Sequence, residues 1–154
     1  MNKTISIVAE YMKIDFVNRY KNLCIKYNDY DNSLRGNQTE IYSSVFCELG
    51  YNVKYFKRET FYRFEEKLKD YRFVLQFVIK DGLVEAMIYP KINNTFCVPD
   101  GRFDFVAKEI DNSFERRKYT LPDYTNKEEL EGILKEFFSI YEDLKAALIG
   151  SNDN

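Results

Sequence analysis

The chain contains no histidine, and this absence limits the chemistry that its side chains could perform. Histidine is the usual general base, the usual activator of serine and cysteine nucleophiles, and a common zinc ligand. An enzyme built from the remaining residues would rely on carboxylates, lysine, tyrosine, arginine or a hard metal ion bound by oxygen. The glycines are isolated in the sequence and form no phosphate-binding loop. We therefore expect neither an enzyme nor a cofactor.

One pair of carboxylates has a spacing that could suit acid–base catalysis. Asp100 and Asp104 flank Arg102, and two neighbouring carboxylates can divide the roles of acid and base. A helix that begins at Asp100 would, however, use that side chain as its N-cap, because a capping carboxylate accepts hydrogen bonds from exposed backbone N–H groups. The helix cap is the interpretation that we adopt.

A polar loop over residues 28–38 places two aspartates on either side of Tyr30. Four oxygen-bearing residues match the first, third, fifth and twelfth positions of a calcium-binding loop, namely Asp29, Asp31, Ser33 and Glu40. Leu34 stands where the sharp turn of such a loop needs glycine, so the sequence predicts no metal site. The loop is either a plain solvated turn or an acidic, aromatic surface suited to a basic partner.

Tyrosine and arginine are neighbours in two central segments. Tyr62-Arg63-Phe64 and Tyr71-Arg72-Phe73 could stack RNA bases on aromatic rings beside guanidinium groups. The signature peptide of an RNA-recognition strand is missing and the net charge is −2, so we do not expect nucleic acid. Tyrosine and arginine are also enriched at protein-binding hot spots. Six residues are predicted to contact a protein partner: Asp29, Tyr30, Asp31, Arg63, Arg72 and Tyr89.

The element that positions several of these residues is a hairpin from Tyr71 to Pro90. Asp81-Gly82 suits a two-residue turn, because glycine accepts a positive φ without steric cost and aspartate tolerates it. The turn sets the register, and one face of the hairpin is then wholly apolar and must be covered: Phe73, Leu75, Phe77, Ile79, Val84, Ala86 and Ile88. The other face mixes charged and apolar residues, and is either half covered or used for binding.

Residues 51–68 are predicted to add strands before this hairpin. Polar and apolar residues alternate over much of the segment, as they do in a half-buried strand. Some of its apolar residues also fit a helix, but the aromatic content of 17% favours strands. Together with the hairpin they form an antiparallel meander of three to four strands.

Helical spacing of apolar residues predicts the elements on both sides of the meander. A capping box of Thr125 and Glu128 begins the last helix, Gly150 ends it, and we expect this helix to cover the apolar face. The fold class is therefore α+β, with the meander packed against N-terminal and C-terminal helices. The predicted helices cover residues 4–27, 39–49, 103–114 and 125–149.

The 154 residues are expected to form one domain, 1–150, followed by a disordered tail, 151–154. Cys24, Cys47 and Cys97 are far apart and odd in number, so we expect buried free thiols in a reducing compartment. No apolar run is long enough to span a membrane, and the first residues do not match a signal peptide. These features predict a cytoplasmic protein without a membrane partner.

The chain resembles the small, acidic, single-domain proteins that act as immunity partners of bacterial polymorphic toxins. This resemblance is one of type, and it is carried by the size, the helix–meander–helix arrangement, the aromatic content and the lack of catalytic residues. It implies an inhibitor that binds one cognate toxin and covers its active site, and no functional residue is carried over from the family. Asp29, Tyr30 and Asp31 would then contact a basic toxin.

Two other functions remain open at this point. One is a phage or host regulatory module that binds a protein or RNA. The other is an enzyme that works with carboxylates and without histidine. Stoichiometric binding of a hard metal ion would favour the enzyme, and salt-sensitive binding of RNA would favour the regulatory module.

Overall fold

The structure is a computed structural model and describes residues 3–152. Over this range the chain forms five α-helices and one seven-stranded sheet, which confirms the predicted α+β class. The helices are α1 (Val8–Lys13), α2 (Phe16–Lys26), α3 (Thr39–Glu48), α4 (Phe103–Ile110) and α5 (Lys127–Asn152). The strands are β1 (Ile5–Ser6), β2 (Lys54–Phe56), β3 (Phe61–Leu68), β4 (Tyr71–Lys80), β5 (Leu83–Ile92), β6 (Thr95–Val98) and β7 (Gly101–Arg102).

The central hairpin of β4 and β5 has the predicted turn and register. Asp81 and Gly82 both have positive φ angles, 53° and 80°, as a type I′ turn requires. Lys80 pairs with Leu83, and the register then continues along both strands as predicted. The seven residues of the predicted apolar face are all buried, with at most 7% of their surface exposed.

Gly82 combines a positive φ angle with a close neighbour. A Cβ atom at this position would lie 2.5 Å from the Cβ of Ser33, in the loop that packs against the turn. We expect Gly82→Ala to lower the free energy of unfolding by about 1–3 kcal/mol, measured by urea denaturation. Gly50→Ala is the matched control, because its φ is 85° but no described atom would lie within 4 Å of the added Cβ. If the two variants lost the same free energy of unfolding, the close approach of Ser33 would not contribute to the loss at Gly82.

The sheet is larger than the predicted meander of three to four antiparallel strands. Its order is β1-β6-β5-β4-β3-β2, and β7 also pairs with β5. Strands β2 to β5 are antiparallel, whereas β1 is parallel to β6. The prediction missed β1, β6 and β7 because they have two to four residues, too few to show an alternating pattern. The segment 51–68 contributes β2 and β3, so the helical alternative for it is wrong.

The helices predicted over 4–27 and 103–114 have different boundaries in the structure. The helix predicted over 4–27 is β1 followed by α1 and α2, and the two helices are separated at Asp15, which has a φ of 56°. The apolar spacing continued across this break because Tyr11 and Phe16 enter the same core, with their ring centroids 4.8 Å apart. The helix predicted over 103–114 is shorter and corresponds to α4.

The last helix begins one residue later than the predicted capping box. Asn126 Oδ1 accepts a hydrogen bond from the backbone N–H of Glu129 at 2.8 Å. The Glu129 carboxylate in turn accepts hydrogen bonds from the backbone N–H and the hydroxyl of Thr125. The predicted box of Thr125 and Glu128 is therefore wrong: Asn126 caps the N–H of Glu129, and the Glu129 carboxylate bonds back to Thr125.

The end of α5 also differs from the prediction. The helix continues through Gly150 to Asn152, because an isolated glycine costs a helix only about 1 kcal/mol. Ser151 and Asn152, predicted to belong to the tail 151–154, are thus part of α5. Residues 153–154 of that tail lie outside the described residues.

The predicted helix over 39–49 corresponds to α3, which is followed by Gly50 in a left-handed conformation. Cys24 and Cys97 are buried free thiols, as predicted. Cys47 is exposed, which corrects the expectation that all three thiols are buried. Phe46, the preceding residue in α3, faces the core, whereas Cys47 lies on the solvent side of the helix.

Helix α5 covers the apolar face of the hairpin, as predicted. The ring of Tyr141 lies 5.7 Å from that of Phe73, and the rings of Phe137 and Phe138 lie 5.9 and 5.5 Å from that of Phe77. Edge contacts between aromatic rings at these distances add to the gain from hydrophobic burial. Helices α1 to α4 share the same core through their own buried aromatic rings. Helices α1 to α5 therefore lie on one side of the sheet.

Glu66 joins β3 to α5 on this covered side. Its carboxylate accepts hydrogen bonds from the Tyr141 hydroxyl and, at 2.9 Å, from Lys145 Nζ. Burial raises the pKa of Glu66, but these hydrogen bonds outweigh burial and hold the pKa below its ordinary value of 4.5. A carboxyl group with a lower pKa in the folded state stabilises the fold above its unfolded pKa, and this contribution is lost as the pH falls.

We expect Glu66→Gln to lower the free energy of unfolding by about 1 kcal/mol at neutral pH. The loss should shrink as the pH falls from about 5 to about 3, because the wild-type carboxylate becomes protonated over that range. Urea denaturation at several pH values measures both effects. Glu59→Gln, in an exposed turn, is the control and should follow the wild-type profile. A Glu66→Gln profile that superimposes on the wild type would refute this role.

Candidate protein-binding face

The side of the sheet opposite the helices remains accessible. It carries the even-numbered residues of β4, the odd-numbered residues of β5, and their neighbours on β2, β3, β6 and β7. Val74 and Met87 are buried here, whereas Gln76 and Tyr89 are half-buried and Phe96 is 47% exposed. We call this side the open face. It contains the mixed face of the hairpin, which was predicted to be half covered or used for binding.

Positive charge is concentrated on the open face, although the chain as a whole has a net charge of −2. Two carboxylates, Glu65 and Glu85, point to the same side, and Asp100 lies close enough to Tyr89 to affect its phenol. Such a face attracts negative charge. The cations that the paired strands place on this side are Lys54, Arg63, Lys67, Arg72, Lys80, Lys91 and Arg102.

A groove of about 260 Å³, which we call the central groove, crosses the open face. It brings together three of the six predicted contact residues, Arg63, Arg72 and Tyr89. These residues stand on the hydrogen-bonded strands β3, β4 and β5, so the sheet holds their backbone positions fixed. The groove is lined by Arg63, Arg72, Val74, Gln76, Tyr89, Lys91 and Phe96.

Glu65 orients the two arginines of the central groove. Its carboxylate accepts a hydrogen bond from Arg72 Nε at 2.8 Å and lies 3.7 Å from the Arg63 guanidinium. The hydrogen bond from Arg72 is the main reason that the pKa of Glu65 lies below its ordinary value. Arg72 bonds to Glu65 through Nε alone, and 3.7 Å is too long for a hydrogen bond from Arg63 Nη2. The terminal nitrogens of both guanidinium groups thus retain donors that a ligand could use.

A second groove, of about 440 Å³, continues from the central groove toward the edge strand β2. Arg63 lines both grooves, so an extended ligand could occupy them together. The second groove is lined by Asn52, Lys54, Phe56, Arg63, Glu65 and Lys67.

In the central groove, burial is the main cause that raises the pKa of Tyr89. The phenol therefore stays protonated at neutral pH and can donate a hydrogen bond.

The other three predicted contact residues, Asp29, Tyr30 and Asp31, lie elsewhere. Their loop packs beside the hairpin turn, where the backbone N–H of Asp29 donates to Asp123 Oδ1 at 2.9 Å. The Arg35 guanidinium lies 4.4 Å from the centroid of the Tyr30 ring, which is 43% exposed. Tyr89 is roughly 20 Å from that turn at about 3.3 Å per residue of strand. The six residues therefore form two separate surfaces.

Asp100 does not have the capping role predicted for it, and Asp104 lies in a cluster of ion pairs. Asp104 is 5% exposed and accepts hydrogen bonds from Arg102, at 3.1 and 3.0 Å, and from Arg116 at 2.9 Å. These ion pairs lie at the start of α4 and balance the charge of the buried carboxylate. Asp100 is not the N-cap of α4, because Arg102 occupies that position. The capping interpretation is wrong because Gly101 and Arg102 form strand β7 between Asp100 and the first residue of the helix, Phe103.

Phe105 was not predicted as a contact residue, although it is 44% exposed. The guanidinium groups of Arg102 and Arg116 lie 4.7 and 4.3 Å from the centroid of its ring. The one sequence signal for this exposure was that Phe105 lies outside the apolar stripe of α4. Through Arg102, this exposed ring adjoins the open face and could extend a binding surface there.

Within residues 3–152, no three potential ligand residues are grouped so that they could hold a metal ion. No helix in that range has both the length and the apolar character needed to cross a membrane. No family model, curated protein sequence or solved structure matches the chain. The open face with its two grooves is therefore the feature from which a function can be argued.

Proposed function

We propose that this protein is an inhibitor that binds one cognate protein in a one-to-one complex, as an immunity protein neutralises a bacterial toxin. Such an inhibitor would act in the cytoplasm of the bacterium that makes the toxin. The observation that carries the proposal is the open face, where Arg63, Arg72 and Tyr89 line one groove. Arginine and tyrosine are the side chains that most often dominate binding energy at protein interfaces.

The rigidity of the open face supports the same proposal. Its strands are paired on both sides over β3, β4 and β5, and α5 packs against their other face. A preformed surface needs little ordering when a partner binds, so that less of the interaction energy is lost as conformational entropy. Tight binding is what an inhibitor of a toxin requires.

RNA is the second candidate ligand, because cations and aromatic residues share the open face. The net charge of −2 and the carboxylates of Glu65 and Glu85 on this face favour a protein instead, because both would repel a phosphate backbone.

The predicted acidic loop could belong to the same interface. A standard interface covers about 800 Å² per partner and is thus roughly 30 Å across, enough to reach both surfaces. We expect the combined variant Asp29→Ala, Tyr30→Ala, Asp31→Ala to weaken the complex about tenfold or more, measured by calorimetric titration. An unchanged affinity would remove the loop from the interface and leave the open face as the remaining candidate.

The proposal is tested by toxicity and its neutralisation. A protein that co-purifies with the chain from the cells that make it is expressed in a naive host, alone and together with the chain. We expect growth arrest in the first case and normal growth in the second. A partner whose expression harms no cell, or whose toxicity the chain does not relieve, would contradict the inhibitor function.

A further inference from the structure

We propose that the central groove receives an acidic segment of the partner protein, with aspartate or glutamate carboxylates paired to Arg63 and Arg72. This inference rests on the proposed function and adds the chemistry of the partner. The acidic loop was expected to contact a basic surface of the partner, whereas the open face would contact an acidic segment of it. The partner would thus present carboxylates to the sheet.

Charge complementarity is the first argument. Arg63, Arg72 and Lys91 line the central groove, and Lys54 and Lys67 line its continuation. All residues that line the two grooves are among those the structure describes, and Glu65 is the one carboxylate among them. Positive charge is therefore in excess along the whole path, and an acidic segment would be steered to it.

The geometry at Glu65 is the second argument. Arg72 already holds this carboxylate through Nε at 2.8 Å, which shows that the arginine is positioned for such a contact. Arg63 Nη2 lies 3.7 Å from the carboxylate, too far for a hydrogen bond, so Glu65 leaves the terminal nitrogens of Arg63 unused. A guanidinium offers five N–H donors, and a carboxylate can accept two of them in parallel. The groove therefore has unused donors for a second carboxylate.

The surroundings of the arginines are the third argument. Val74 is buried at the floor of the groove, and the phenol of Tyr89 and the ring of Phe96 form part of its wall. Ion pairs against apolar walls are less screened than those in open water. Such a site suits a short peptide segment that carries both carboxylates and apolar side chains.

The inference is tested on the purified protein with two probes of matched length, a deca-glutamate peptide and a ten-nucleotide oligouridylate. Backbone amide shifts are recorded by NMR during each titration. We expect the peptide to shift amides of β3, β4 and β5 around the central groove, with affinity that falls as salt rises. The variant Arg63→Gln, Arg72→Gln should weaken peptide binding about tenfold, and the control Arg117→Gln, Lys118→Gln should not.

Each other result would overturn the inference. Peptide-induced shifts confined to other surfaces, or no shifts at millimolar peptide, would exclude an acidic protein segment from the groove. Tighter binding of the oligonucleotide across the open face would assign the groove to nucleic acid. Failure of the proposed function is a separate result, in which the partner is not inhibited. If only this inference fails, the inhibitory complex still forms, and its affinity does not change when Arg63 and Arg72 are replaced.

Discussion

Replacing Phe77 by alanine is expected to lower the free energy of unfolding by about 3–5 kcal/mol. The side chain is fully buried, and its ring lies 5.5 Å from that of Phe46 in α3 and 5.9 and 5.5 Å from those of Phe137 and Phe138 in α5. Its removal opens a cavity at the point where two helices meet the sheet. Since domains of this size have total stabilities of about 5–15 kcal/mol, this loss would be a large fraction of the total.

Urea denaturation followed by circular dichroism measures this loss. Lys80→Ala is the control on the same strand, because Lys80 is exposed and its truncation should change stability by less than about 0.5 kcal/mol. A loss below about 1 kcal/mol for Phe77→Ala would mean that α5 does not cover the hairpin as described.

Reversing two charges in the central groove should have the largest effect on partner binding. We expect Arg63→Glu combined with Arg72→Glu to weaken the one-to-one complex by about 2–4 kcal/mol, or roughly 30- to 1,000-fold. Both side chains are partly exposed, so the fold itself should tolerate the change. The added carboxylates would also repel an acidic partner segment.

The matched control is Arg117→Glu combined with Lys118→Glu, which changes the net charge equally at two exposed residues outside the open face. Calorimetric titration of each variant with the partner gives the affinities, and denaturation curves show that both variants fold. Equal affinities for the two double variants would place the interface outside the central groove.

Local rules predicted the parts of the fold that short stretches of chain determine by themselves. The turn at Asp81 and Gly82 set the register of the hairpin, and alternation then assigned Phe77 to the core and Tyr89 to the other face. The break at Asp15 had no comparable signal, because both adjoining helices contribute to one apolar pattern. Strand β6 pairs with β5 across the two-residue turn Asn93-Asn94, whereas β1 and β7 pair with strands farther away in the sequence. All three are too short to be recognised alone.

The same distinction explains the candidate site. Arg63, Arg72 and Tyr89 were predicted as contact residues because they lie on the mixed faces of β3, β4 and β5. Their meeting with Phe96 was not predicted: β6 pairs with β5 across the two-residue turn Asn93-Asn94, and this short strand shows no alternating pattern of its own. The charge of the open face was hidden for a related reason: the net charge of −2 averages over all surfaces.

The most direct test of the proposed function is native mass spectrometry of the tagged protein purified from the cells that make it. We predict a complex of one copy of this chain with one copy of a single other protein. The complex should be recovered in clearly lower yield when the bait carries Arg63→Glu and Arg72→Glu, and in full yield when it carries Arg117→Glu and Lys118→Glu. The free chain alone, a nucleic-acid adduct, or equal yields of the complex from the two double variants would contradict inhibition through the open face.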